Sequence, residues 1–315
     1  MGILGTPNES IWRISEPRRR VIIQKLTYFS AQLGGFKLPT RHALTRYMQS
    51  FVNTFLKHYP MLHLPTSSVE NMPIELTLVA VAIGARYRFE PLAALALYQA
   101  AKSITMIHLE RVKSLDSSKI GNGNPSSFDL THLICTTTML IAFTMFHDDP
   151  NLFSDSMEFQ VPLVRMLRLE GLSESSQQPR NQDWKYWLEG ECRRRAKLIA
   201  FAYLNLQCIT QNVPPAILVN EVNLVLPSST AEWEATSSDS WRRVKSSQAG
   251  ISFKDAHEVL FTEREHTLAA AACLQTSSIG RFILLHSVIQ KMFLARHVQT
   301  HSKRTLSDED QRTFE

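Results

Sequence analysis

The chain has 315 residues, 44% of them hydrophobic and 20% charged, with a formal net charge of +5 and a pI near 9.0. That length corresponds to about two domains by size, or to one long helical superstructure, with ample apolar content for a large core. The positive balance is mild for this length and fits either contact with acidic partners or, more simply, a solvated surface.

Met1 to Pro17 mixes polar and apolar residues, with no sustained hydrophobic run of the secretory kind. It is read as a flexible N-terminal segment, 1–17. Asn8-Glu9-Ser10 has the form of a glycosylation acceptor, but without a secretory route the match has no consequence. Arg18-Arg19-Arg20 is either part of a nuclear import signal or the solvated start of a helix through Val21, Ile22, Lys25, Leu26 and Phe29. Gly34-Gly35 breaks that helix. Leu38-Pro39-Thr40 offers a threonine N-cap to a second helix carrying Leu44, Tyr47, Met48, Phe51 and Phe55, which closes at Tyr59-Pro60. Pro60 and Pro65 bracket a rigid, extended connector that the chain leaves at Pro73.

Ile74 to Ala85 contains only Glu75 and Thr77 as polar residues, so this helix is expected to be enclosed on all sides at the centre of the core. A small-residue helix follows Pro91 through Leu92, Leu95, Ala96, Ala100, Ile104 and Ile107. Residues 114–129, rich in Ser, Gly, Asn and Pro, form a long loop. Leu130 to Phe146 falls short of the roughly 20 apolar residues of a membrane span and is expected to be a buried helix, stopped at His147-Asp148-Asp149-Pro150. Met157 to Leu169 is a further helix ending at Gly171, with Arg165 and Arg168 near its negative end.

After a polar break at Ser173 to Gln182, Trp184, Leu188, Ile199, Ala202 and Leu206 form a buried stripe while Glu189, Arg193, Arg194 and Lys197 face water. Pro214-Pro215 ends this helix and opens a second long loop, 212–250. Within it Glu221 to Pro227 is extended, Trp233 and Trp241 anchor the loop to the body, and Trp241 to Ile251 is polar, basic and mobile. The last helix runs from Thr267 to His297, before a charged tail at 301–315 that frays. Cys135, Cys192, Cys208 and Cys273 are scattered through helical patterns, which fits packed thiols in the cytosol or nucleus.

Three ordered groups of these residues resemble one family. Phe51-x(3)-Phe55-x(3)-Tyr59-Pro60-Met61-Leu62-His63-Leu64-Pro65-Thr66, followed by the helix Leu78 to Ala85, looks like the opening of the fungal-specific transcription factor regulatory domain. Trp184-x(2)-Trp187-x(3)-Glu191 with Arg193-Arg194-Arg195 is similar to a later helix of that family, although a tryptophan often found before the helix at Arg165 to Leu172 is missing. Asn212-x-Pro214-Pro215, Glu221-x(4)-Leu226-Pro227 and Trp233-x(7)-Trp241 follow the family's order. The resemblance implies an all-α array of stacked antiparallel helical hairpins, one helical domain over 18–300, and a transcription regulator in the nucleus. It implies protein partners, or a DNA-binding subunit of the same family, and it allows a small-molecule effector in a cavity among the small-residue helices. The zinc module that precedes the domain in the family is absent from this sequence, which leaves either a truncated regulator or one acting through a partner that binds DNA.

Motifs for chemistry are missing. There is no G-x-S-x-G elbow, phosphate loop or H-E-x-x-H pair, Gly121-x-Gly123 lacks its third glycine, and the cysteine spacings fit no zinc finger or binuclear cluster. The enzymatic alternative is an all-α, magnesium-dependent terpene synthase-like protein built on His147-Asp148-Asp149 with Asp155 and Glu158. Leu152 and Phe153 stand where that chemistry needs a further acid, and Pro150 interrupts the helix. A helical protein-interaction scaffold is the third reading. No catalytic, cofactor-binding or metal-ligating residue is assigned, no cofactor is expected, and neither sequence-specific DNA binding nor membrane association is expected. His63 is read as a packed connector residue, and Arg193 to Arg195 as a solvated helix face rather than a phosphate site.

Overall fold

The computed structural model describes residues 12–113, 127–145, 149–174, 183–246, 250–261 and 276–312. Asn8 to Ser10, Gly121 and Gly123, His147 and Asp148, Cys273, Thr267 to Leu274, and most of the expected loop 114–129 and break 173–182 lie outside the described residues. Among the described residues the fold is all-α, and its β content is two isolated bridges, Ser173 with Asn223 and Val225 with Ser252.

The centre is α4 (Ile74–Tyr87), in which every residue from Ile74 to Ala85 is buried. A helix without a polar face must be surrounded, and α2 (Arg41–Asn53), α5 (Pro91–Lys113) and α6 (Ser127–Thr144) all pack on it. Gly84 lets α2 come close: a Cβ at that position would stand 1.8 Å from the Tyr47 carbonyl oxygen. The small residues thus close helix on helix. One of the few polar groups inside, Glu75, lies 3.0 Å from His108 Nδ1 of α5.

Local signals explain the flanking elements. Thr40 caps α2 by accepting the Ala43 N–H at 3.3 Å, and Gly34 and Gly35 take φ values of 52° and 81°. Helix α1 (Glu16–Thr27) is tied down by its arginines: Arg18 Nε lies 2.6 Å from Glu70 and Arg19 Nε donates to the Pro39 carbonyl at 3.0 Å, while Arg20 is exposed. Residues before it are anchored too, because Trp12 and Ile14 are buried and Ile14 donates its N–H to Thr45. The body therefore begins ahead of residue 18, inside the segment read as flexible. Thr54 interrupts the second helix, and α3 (Phe55–His58) completes it before Pro60. The connector that follows is turned rather than extended. The Thr66 and Ser67 N–H groups both donate to the His63 carbonyl, at 3.2 and 3.0 Å, and Met61, Leu62 and His63 are buried.

Among the described residues, α5 is the helix long and apolar enough by length and composition to cross a membrane, and Leu130–Thr144 is shorter. Its Ala94, Leu97, Ala101 and Ile104 are buried, and the helix packs on α4. Asp149-Pro150 opens a helix instead of only stopping one: Asp149 accepts the Asn151 N–H at 2.9 Å, Pro150 occupies the first turn, and α7 (Pro150–Glu170) begins well before Met157. Gly171, with φ 84°, ends it. Helix α8 (Trp184–Gln211) packs on α6, α7 and α12 (Ser278–Arg312), the last of which continues to Arg312 through residues read as tail. Residues 301–312 contain no glycine or proline to break it. The expected loop 212–250 holds a 3-10 turn at Val219–Glu221, α9 (Thr230–Trp233) and α10 (Ser238–Val244), followed by α11 (Phe253–Val259). The reading of 241 onward as mobile is corrected up to Lys245, because Ser237 caps α10 and Trp241 is 2% exposed.

Candidate interaction site

Among the described residues two hydrophobic clusters form the body, and the smaller gathers tryptophans: Trp187, Leu188, Trp233, Ala235 and Trp241, with Trp184 and Cys192 beside them. Beneath it lies a buried charge network on α8. Glu191 is fully buried and accepts from Arg194 at 2.5 Å, from Arg195 at 2.7 Å and from the Ser228 N–H at 2.9 Å. Burial alone would raise its pKa, but the Arg195 and Arg194 guanidiniums outweigh that and hold the carboxyl below the usual range. Arg194 also reaches Glu174 at 3.0 Å, and Arg195 lies 4.0 Å from the Trp233 ring centre.

The expectation that Arg194 and Lys197 face water is therefore overturned. Both are buried, and Lys197 donates to the Gly171 carbonyl at 2.8 Å. Arg193, half-buried, lies 3.7 Å from Glu170. The basic run is answered by acceptors within the chain, so it is neither a solvated face nor a phosphate groove. Trp184, expected in the buried stripe, is half-buried.

Over this network the connector and α9 enclose a cleft of about 630 Å³. Its walls are Trp12, Val52 and Lys57 on one side, Leu62 and Leu64 of the connector, and Trp233. His63 backs it: the ring is 1% exposed, meets Trp233 edge-on with centres 5.0 Å apart, and pairs Nδ1 with Thr66 Oγ1 at 2.7 Å. Burial pushes its imidazole down to about 4, against the pull of the Trp233 and Ala235 backbone, so the ring is neutral. The packed-connector reading of His63 is correct, and its neighbours were not foreseen. Trp12 was also missed. A tryptophan alone in a polar stretch is a signal of anchoring, because so large an apolar ring seldom stays in water.

The remaining residues of interest lie apart from this cleft. Asp155 accepts from Tyr98 at 2.8 Å and Lys102 at 2.5 Å, and Lys102 also reaches Glu158 at 3.4 Å. These carboxylates are paired with an internal ammonium instead of converging on a cation position. Among the described residues, no group of three or more His, Cys, Asp or Glu side chains is placed to hold a metal ion. Cys135, Cys192 and Cys208 are unpaired thiols that burial pushes up, Cys192 to about 12 and Cys208 to about 11, which suits packing rather than reactivity.

No curated protein and no solved structure matches the chain. The family described as the fungal specific transcription factor domain matches residues 48–305, from the second helix through the connector, the charge network and the tryptophan cluster into α12, and the chain belongs to that family.

Proposed function

We propose that this chain works in the nucleus as the regulatory body of a transcription factor, by protein contacts and without catalysis. DNA is read for it by a zinc module of a longer polypeptide or by a partner subunit, and the cleft beside Trp233 is the surface that contacts a partner or small effector. The family is regulatory rather than enzymatic and implies a nuclear role, and its match over residues 48–305 is the observation that carries this reading. The cleft supports it because apolar walls with a few polar groups suit a ligand or peptide side chain.

The test tethers the full chain to a heterologous DNA-binding module above a reporter gene in fungal cells. Reporter output should change relative to the module alone, and Val52→Arg or Leu64→Glu should reduce that change while leaving chain abundance intact. The purified chain should not retard duplex DNA. Unchanged reporter output together with exclusion of the tagged chain from the nucleus would count against the proposal.

A further inference from the structure

We infer that Ser246 is a phosphate acceptor for an arginine-directed protein kinase, and that phosphate there loosens the α9–α10 flap from α8. This goes beyond the proposed function and does not depend on what the cleft binds.

The recognition chemistry is in the run Arg242-Arg243-Val244-Lys245-Ser246. All five residues are exposed, and Ser246 lies just past the end of α10, outside any helix. A kinase whose substrate groove is acidic pairs with guanidiniums three and four residues ahead of the hydroxyl, the spacing Arg243 and Arg242 hold here. Arg242 is only lightly committed, to Asp239 at 2.9 Å in an exposed pair. Helix α10 has 7 residues, and opening the last turn of so short a helix costs little.

The consequence follows from what Ser246 holds. Its backbone N–H donates to Glu232 Oε1 at 3.0 Å, and the other carboxylate oxygen accepts from the Ser229 N–H and hydroxyl at 3.2 and 2.8 Å. Glu232 is 7% exposed. This contact helps join the residue after α10 to α9. Next to it, the Lys245 ammonium lies 4.6 Å from the Trp241 ring centre, and Trp241 packs on Trp187 of α8 at 5.1 Å. In the transfer, Ser246 Oγ attacks the γ-phosphorus of a nucleoside triphosphate. The new P–Oγ bond forms as the bond to the β,γ-bridging oxygen breaks, the diphosphate leaves with that oxygen, and the hydroxyl proton passes to the kinase's carboxylate base. The product places about two negative charges on the residue whose N–H binds Glu232, at the negative end of α10. Repulsion from Glu232 and attraction for Lys245 both weaken the contacts that seat Trp241.

The sequence repeats the arginine spacing at Arg111-Val112-Lys113-Ser114 and at Lys303-Arg304-Thr305-Leu306-Ser307, so the experiment uses the full chain with Ser114→Ala and Ser307→Ala. The catalytic subunit of an arginine-directed kinase and magnesium ATP are added, phosphate is mapped by peptide mass, and tryptophan emission is followed. Four of the chain's 5 tryptophans belong to or border this cluster, so emission reports on it. Phosphate should map to Ser246, disappear in Ser246→Ala and form at least tenfold more slowly in Arg243→Ala. Emission should shift to the red on phosphorylation, and in Glu232→Gln the phosphate should still be incorporated while the shift shrinks. An unmodified Ser246 overturns the inference, as does phosphate at Ser246 with unchanged emission; an undiminished shift in Glu232→Gln overturns its electrostatic basis.

Discussion

Replacing Gly84 by alanine tests the packing of the whole centre. A Cβ at this position would lie 1.8 Å from the Tyr47 carbonyl oxygen and 2.6 Å from its carbon, and both are backbone atoms of α2 that no rotamer change can move. Ordinary carbon-to-oxygen contact needs about 3.3 Å, so α2 and α4 must separate by about 1.5 Å. Alanine gains about 1 kcal/mol over glycine in a helix, whereas overpacking a tight interior costs about 1–3 kcal/mol. A backbone obstacle between two buried helices belongs at the top of that range, for a net loss of about 2 kcal/mol or more. With about 2.1 cal/mol/K of unfolding entropy for each of 315 residues, the melting temperature should fall by about 3 °C or more. Gly190 of α8 supplies the control, because nothing lies within 4 Å of the point where an alanine methyl would stand. Gly190→Ala should raise the melting temperature slightly. Circular dichroism melts at 222 nm compare the three proteins, and a Gly84→Ala protein that melts at or above the parent would refute the close-approach argument.

Three further outcomes are expected. Glu191→Gln leaves two buried guanidiniums and the Ser228 N–H poorly matched, and should cost about 3–5 kcal/mol in urea unfolding at neutral pH. Because the native carboxyl titrates below its unfolded value, its stabilisation is complete above about pH 4.5 and is lost as pH falls through the native value, so the variant's deficit should shrink in acid. His286, which burial pushes down to about 4, must stay neutral in the fold. The unfolded chain takes up its proton first, so native stability declines from about pH 6.5 to about pH 4, and His286→Leu should flatten that decline in a pH series of melts. Gln290 joins three groups, donating to Asn205 at 2.6 Å and the Ile217 carbonyl at 2.9 Å and accepting the Val219 N–H at 2.9 Å. Gln290→Leu should cost about 3 kcal/mol and speed hydrogen exchange at the Val219 amide; an unchanged rate there would remove Gln290 as the anchor of the 217–221 turn.

The parts legible in the sequence are those set by contacts close along the chain or by bulk hydrophobicity. The all-round burial of α4, the Thr40 cap and the Gly171 stop each depend on a few adjacent residues, whereas α1 ends at Thr27, ahead of the Gly34-Gly35 pair expected to break it. The parts that were not legible depend on distant partners. Helical periodicity turns Arg194 and Lys197 toward water, but Glu174 and the Gly171 carbonyl lie 20 and 26 residues away and supply acceptors inside. Asp149-Pro150 is ambiguous in principle, since a proline that ends one helix also suits the first turn of the next. Helices α9 and α10 have 4 and 7 residues, too few for an apolar period to emerge, although Trp233 and Trp241 did mark where that segment docks.

The buried charges of α8 also account for why the site can be placed so far along the chain from the residues it faces. An apolar surface alone tolerates sliding, because hydrophobic contact is not directional. Ser228 is held at both of its backbone groups: its N–H donates to Glu191 at 2.9 Å and its carbonyl accepts from Arg195 at 3.1 Å. Two bonds from side chains one helical turn apart fix both the position and the direction in which the chain enters α9. Ser229 then caps α9, and Trp233 arrives over the Arg195 guanidinium and against His63. The charged network therefore sets the register of the cleft wall, while the apolar helices around α4 provide the bulk of the burial that keeps the body folded.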